Sequence, residues 1–413
     1  MKELFNDYVQ SLETYIMFRI KQRTAELTPV LTEKGRAPIS LSMGAPVDPP
    51  PQFAINKLIE VLQNDKKIHT YSNPKGEKYL IEEIIKRMKR VYNIELKNNE
   101  VHSLIGSKEG IANFIRELIN PTTNIKEKDI VLVPDPGYAS YVQMVTVSGG
   151  LAYPMPLTPE NNYMPDFEEV LKQLEKDGFD SKKVKAVAFN YPNNPMGATC
   201  TKEYMQKAVD FCLKHHYILM GDAAYIDLNL PGTDKIPSIL ECKNAMDVAI
   251  EFYSFSKSYA MTGWRMGWAC GNKELVEMLG KMKSSLDTGI FKGLQIAGAS
   301  ILNSEEGDKF IEESNIKYQR KQNILLDGFK KMGWDIDKLG KPKATFYLWL
   351  PVPPRFKSSE EFTNYVLETS GVVFVPGSAF GKNGEMWFRI SATATEPEIK
   401  EAVERLIKDG LRF

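Results

Sequence analysis

The chain's 413 residues balance 53 Lys+Arg against 53 Asp+Glu, which excludes the electrostatic footprint of a nucleic-acid binder. Hydrophobic residues make up 43% and charged residues 26%, ordinary for a soluble globular protein, and no apolar run reaches membrane-spanning length. The length exceeds what one hydrophobic core usually serves, so two domains are expected. The opening stretch, Met1 to Tyr8, carries acids and lacks the apolar core of a secretion signal, and a cytoplasmic location is expected. Cys200, Cys212, Cys242 and Cys270 are widely spaced with no Cys-x-x-Cys pair, which suggests reduced thiols and neither a disulfide framework nor a zinc site. The adjacent His215 and His216 point to different faces of any regular element and make a poor metal pair.

In chain order, the first forty or so residues read as a helix, followed by the extended, Pro-rich segment Leu41 to Pro51. That segment cannot build a core alone and is expected to pack on the C-terminal part. Apolar runs Ile130–Val133, Val184–Phe189, Tyr217–Met220 and Val248–Tyr253 read as buried strands, with helical patterns at Phe167–Lys176 and Tyr204–His215 between them. The alternation predicts an α/β fold with a mainly parallel sheet covered on both faces. The texture then changes. A long charged amphipathic stretch, Glu305 to Met332, precedes short strands at Thr345–Leu350, Val372–Val375 and Met386–Ile390 and a closing helix at Glu396–Lys408. Domains are therefore expected at 48–305 (large) and at 1–47 plus 306–413 (a smaller α+β part).

In an open parallel sheet, chemistry lies beyond the carboxyl ends of the strands. Lys257 stands there, in Ser254-Phe255-Ser256-Lys257-Ser258, with Arg265 on a Gly-flanked turn behind it. A lysine at the mouth of a buried strand suits a Schiff base to a carbonyl cofactor, with Ser254, Ser256 and Arg265 holding a phosphate. Taken alone, it is equally a surface lysine in a serine-rich turn. Gly106-Ser107-Lys108-Glu109-Gly110 opens a helix whose apolar face runs through Ile111, Phe114, Ile115 and Leu118. Ser107 suits its N-cap, and such an end attracts phosphate, although many capped helices bind nothing. Asp222 ends a strand and could keep a ring nitrogen protonated, or could simply form a turn. The cluster Asn190 to Gly197 is a generic Asn/Pro/Gly turn by composition. Arg389, inside the apolar strand Trp387 to Ser391, is suited to grip a carboxylate, and a buried structural ion pair is the plain alternative.

Together these segments resemble, in order from about residue 40 to 400, the class I/II aminotransferases, fold type I enzymes dependent on pyridoxal 5′-phosphate. The resemblance implies a large domain built on a seven-stranded, mainly parallel sheet. It implies that Lys257 holds the cofactor and moves the substrate's proton, and that Ser107 and Lys108 donate backbone N–H groups to its phosphate. Asp222-Ala223-Ala224-Tyr225 matches the family's Asp-x-Ala-Tyr motif, placing Asp222 at the ring nitrogen and Tyr225 at the phenolic oxygen. Asn194, in a loop resembling Asn-Asn-Pro-Thr-Gly with Met196 replacing the threonine, matches that oxygen's second donor. Tyr138 is the ring-stacking candidate, Arg389 and Gly44 are the carboxylate contacts, and Tyr71 matches a tyrosine reaching the neighbouring subunit's site, which implies a homodimer.

The implied reaction is ping-pong transamination between an amino acid and a 2-oxo acid. Gly106 to Ala112, Leu41 to Pro46 and Ala344 to Trp349 look closest to the branch of LL-diaminopimelate aminotransferases and their alanine and aspartate relatives. LL-diaminopimelate with 2-oxoglutarate is the substrate expectation; an alanine, aspartate or aromatic type, or a C–S lyase, is the alternative. A decarboxylase or racemase could use the same groups, but Arg389 with Asn194, Asp222 and Tyr225 favours transamination. A cofactor-sensing transcription regulator lacks room ahead of Gly44 for a DNA-binding head. Asp287, Lys21 and Arg23 are candidate contacts for a distal substrate group.

Overall fold

The structure is a computed structural model that describes residues 4–12 and 16–413, so Met1, Lys2 and Glu3 of the opening stretch lie outside the described residues. After a helix at Ile16–Glu33 come β1 (Ile39–Ser40), β2 (Val101–Leu104), β3 (Ile130–Asp135), β4 (Leu151–Pro156), β5 (Val184–Phe189) and β6 (Ile218–Asp222). These are followed by β7 (Ala249–Ser254), β8 (Gly267–Gly271), β9 (Tyr347–Pro351), β10 (Val372–Val373), β11 (Val375–Pro376) and β12 (Trp387–Ser391). Seven strands form one sheet in the order β2-β8-β7-β6-β5-β3-β4. Only β8 runs against its neighbours.

The sheet is buried on both faces because its strands are apolar on both. In β3, Val131 and Val133 join one apolar cluster with Phe114 and Ile115 of the helix Ser107–Leu118. Ile130 and Leu132 point the other way, into a larger cluster with Leu171, Leu174 and Val209. Successive side chains alternate across a strand, so six residues serve two cores. The parallel strands β3, β5, β6 and β7 end at Asp135, Phe189, Asp222 and Ser254, and these ends lie along one edge of the sheet.

A separate apolar cluster gathers Leu325, Leu326 and Phe329 of the helix Glu305–Lys331 with Phe388, Ile390, Ile399 and Leu406. Ile39 and Leu41 belong to it, which is where the extended N-terminal segment packs. The single strand expected at Val372–Val375 is two. Val372 and Val373 pair in parallel with β1, and Val375 and Pro376 pair antiparallel with β12. Phe374 between them is buried against Phe329 and Phe388, so the chain turns its side chain inward and changes sheets. Strands β2, β4 and β8 go beyond the sequence reading. Among the described residues no helix is long and apolar enough to cross a membrane.

Candidate active site

A cavity of about 800 Å³ opens where the sheet's carboxyl edge meets β12 and the N-terminal segment. Gly44, Ser107, Lys108, Tyr138, Asn194, Asp222, Tyr225, Ser254, Ser256, Lys257, Arg265 and Arg389 all line it. Residues from eight segments of the sequence thus converge. Tyr71 does not line it: its side chain is 85% exposed on the surface of its own chain.

Lys257 follows β7 on a short helix, Phe255–Ser258, capped by Ser254, whose Oγ accepts from the Ser256 N–H at 3.1 Å. Its Nζ donates to the Gly44 carbonyl at 2.6 Å and sits 5.8 Å from the centre of the Tyr225 ring. Burial, and then the cations Arg389 and Arg265, lower its pKa to about 8, against the opposing pull of Asp222. Asp222 ends β6, fully enclosed. Its Oδ2 accepts from the Tyr141 hydroxyl at 2.6 Å and its Oδ1 from the Ala224 N–H at 3.1 Å. Burial raises its pKa, and those two donors together with Lys257 hold it down. Among the described residues Asp222 is the only carboxylate lining the cavity.

Arg389 is buried in β12 with its guanidinium 4.5 Å from the Tyr347 ring centre and 4.8 Å from that of Phe380. Nη1 donates to Asn194 Oδ1 and Nη2 to the Ser42 carbonyl, both at 2.8 Å, while Nε has no acceptor among the described residues. Among the described residues no acid pairs with it, so none of them makes the plain ion-pair alternative. Asn190 fixes the neighbouring loop: its Oδ1 accepts from the Asn194 N–H at 3.0 Å and its Nδ2 donates to the Asp222 carbonyl at 2.9 Å. Met196 is buried in the main core, so the expected threonine position has become a packing position. The Tyr225 hydroxyl meets that of Tyr347 at 2.8 Å.

The helix after β2 begins differently from the expected Ser107 cap. Gly106, at φ 83°, is the N-cap residue, and Ser107 is the first helical residue. Position 106 is confined to glycine, because at its positive φ a Cβ would also lie 2.6 Å from an Arg265 guanidinium nitrogen. The first amides of the helix, those of Ser107 and Lys108, have no intrahelical acceptor and stand beside that cation.

Residues 36–406 match the family described as aminotransferase class I and II. The chain belongs to this family. It is 38% identical over 408 residues to the LL-diaminopimelate aminotransferase of Halothermothrix orenii, covering 98% of this chain and 99% of that one. It is 37% identical over 403 residues to the enzyme of the same name from Aquifex aeolicus, covering 97% and 98%. The substrate-bound structure of BacF from Bacillus subtilis superposes with a TM-score of 0.89 at 32% identity, covering 99% of this chain and 98% of that one. The protein is an enzyme, an aminotransferase of fold type I dependent on pyridoxal 5′-phosphate, as the motifs implied.

The residues present fit that cofactor. The free amides of Ser107 and Lys108 with Arg265 suit a phosphate, the enclosed carboxyl of Asp222 suits a cationic ring nitrogen, and Lys257 is a depressed amine within the same cavity. Sequence reasoning missed Tyr141, which donates to Asp222, and also Tyr347, Phe380 and, from the N-terminal helix, Ile16, Met17 and Ile20, which line the cavity. Asn190 could have been found, since it opens the same Asn/Pro/Gly loop. Of the three distal-contact candidates, Lys21 lines the cavity. Arg23 instead pairs with Glu368 at 2.6 Å, and Asp287 with the buried Lys283 at 2.8 Å.

Proposed function

We propose that this aminotransferase moves the amino group of LL-diaminopimelate to 2-oxoglutarate, as a cytoplasmic homodimer. The relatives named above support the substrate, and one observation carries the chemistry: Lys257, Asp222 and Arg389 share a single cavity with the N-terminal turn of the helix Ser107–Leu118. In this reading 48–305 form a large domain holding the cofactor, and 1–47 with 306–413 a smaller one that delivers Arg389.

Bound pyridoxal phosphate supplies an electron sink for the pair released when the substrate's Cα–H bond breaks. The backbone N–H groups of Ser107 and Lys108, with Ser254, Ser256 and Arg265, hold the phosphate; Tyr71 of the partner subunit completes this grip. Asp222 accepts from the protonated ring nitrogen, and the Tyr141 hydroxyl keeps its carboxylate aimed. Asn194 and Tyr225 donate to the phenolic oxygen, and Tyr138 stacks on the ring. Arg389 pairs with the substrate's α-carboxylate, which satisfies its unpartnered Nε, and Gly44 closes the same side. Lys257 Nζ, its pKa lowered to about 8 by burial and two arginines, would take the proton from the substrate's Cα and return it on the far side of the amino nitrogen. Arg389 then receives the carboxylate of the incoming oxo acid, so the two half-reactions alternate in one site.

An aspartate-type donor is the second reading, favoured by Lys21, whose cation lines the cavity and suits a distal carboxylate. Diaminopimelate carries such a carboxylate as well. The test follows the visible absorption of purified holoenzyme as amino donors are added singly. Loss of the cofactor band with diaminopimelate but not with alanine or aspartate supports the first reading. Response to aspartate alone supports the second, and no response to any donor sinks both.

A further inference from the structure

Lys283 is the one lysine of the helix Lys273–Ser284 with no exposed side-chain surface. It lies outside the cavity, yet its Nζ donates to Glu109 Oε1 and to Asp287 Oδ2, each at 2.8 Å. Each carboxylate spends its other oxygen on a backbone amide. Glu109 Oε2 accepts from the Ile105 N–H at 3.0 Å, at the entrance to the turn Gly106–Ser107–Lys108. Asp287 Oδ1 accepts from the Gly289 N–H at 2.7 Å. Thr288, the residue between, accepts through its carbonyl from Ser72 Oγ at 2.9 Å, and a Cβ on Gly289 would strike that Oγ at 2.7 Å. An unbroken chain of polar contacts therefore runs from the phosphate-binding turn, through Lys283, to the segment that bears Tyr71.

We infer that Glu109, Lys283 and Asp287 form a positioning unit that fixes the spacing between the Ser107–Lys108 amides and the Tyr71 segment. A buried ion pair contributes little net stability, because desolvation offsets the attraction; apolar residues of equal size would hold these helices as well. The charges add direction: each carboxylate is anchored on a backbone N–H at one of two segments that must meet a phosphate. In a dimer, the unit ties each subunit's own phosphate turn to the tyrosine it lends its partner. The inference rests on the phosphate placement proposed above.

The test compares the affinity of the apoenzyme for pyridoxal 5′-phosphate with its affinity for pyridoxal, which lacks the phosphate. Lys283→Met leaves the part-buried carboxylates of Glu109 and Asp287 without their shared cation and can unfold the chain, so the decisive variant is E109Q/K283M/D287N, which removes all three charges together. It is expected to keep the apoenzyme's melting temperature near that of the wild type and to lose about tenfold of the preference for the phosphorylated form, within the range of coupling seen for groups in one network. Combined with Tyr71→Phe, the losses should be less than additive. Arg265→Ala serves as the control for the phosphate placement. Preference lost in Arg265→Ala but kept in the triple variant overturns the positioning unit alone. Preference kept in both overturns the phosphate placement too. Strict additivity with Tyr71→Phe overturns the link to that segment.

Discussion

Arg389 Nη1 donates to Asn194 Oδ1 across 2.8 Å, joining a strand near the C-terminus to the loop after β5. In the proposed reading, the carboxylate grip and the contact to the cofactor's phenolic oxygen would thereby be mechanically one. An arginine serves this because its planar fork bonds to Asn194 and to the Ser42 carbonyl at fixed angles and leaves Nε without an acceptor among the described residues.

Arg389→Lys keeps the charge and loses the fork. The KM for the amino donor is expected to rise about 10- to 100-fold, the cost of one or two charged hydrogen bonds. Steady-state kinetics at saturating oxo acid measure it. An unchanged KM would place the substrate carboxylate elsewhere.

Asp222→Asn removes the proposed partner of the ring nitrogen without changing size. The kcat is expected to fall on the order of 10³-fold, as when a group stabilising developing charge is removed. Tyr141→Phe should give a smaller fall and an altered cofactor absorption band, because it releases an aiming contact at 2.6 Å. Equal losses in both variants would contradict this division of labour.

Lys257 gives a pH signature in the apoenzyme. Its pKa in the folded chain is about 8, below the ordinary 10.5, so between those values the unfolded chain binds a proton that the folded chain lacks. Stability therefore rises with pH across that window, and the benefit is lost as pH falls through about 8. Relative to Lys257→Met, apoenzyme melting temperatures should climb from pH 8 to 10, a curve that differential scanning calorimetry resolves. The same variant should bind the cofactor without a bond that borohydride can fix.

Lys21→Ala should raise the KM for 2-oxoglutarate several-fold, about the loss of one part-exposed charge pair. Pyruvate, which has no distal carboxylate, should be unaffected. A parallel change with both oxo acids would mean that Lys21 acts only through the packing of its helix.

Tyr71 is 85% exposed in a single chain, which suits a residue completed by a second copy. Sedimentation is expected to show a dimer. Mixing inactive Lys257→Ala with an inactive Tyr71 variant should restore activity in heterodimers that carry one intact site. A monomer, or no restoration in mixed dimers, would remove Tyr71 from the site.

Much of this was legible in the residues because it is local. The helix Glu396–Lys408 spans the residues expected for it, and Thr395 caps its start. The strand-end motifs around Asn194, Asp222 and Lys257 lie in segments whose neighbours fix their spacing, and all three reach the cavity. The weaker readings were those that depend on distant packing. The N-terminal helix could be recognised as a helix, but nothing in its sequence says that Ile16, Met17 and Ile20 wall an active site. Val372 to Val375 reads as one strand until the burial of Phe374 divides it.

The sequence by itself determined the fold class, through the alternation of apolar strands and amphipathic helices, and the family and its cofactor, through short motifs that resemble those of the class I/II aminotransferases. Only the tertiary structure decided that Gly106 and not Ser107 caps the helix Ser107–Leu118, that Tyr141 braces Asp222, and that Lys283 links Glu109 to Asp287. Each of these is a contact between residues far apart in the chain, and such contacts are fixed by steric fit and by the need to satisfy buried polar groups, which no local pattern encodes.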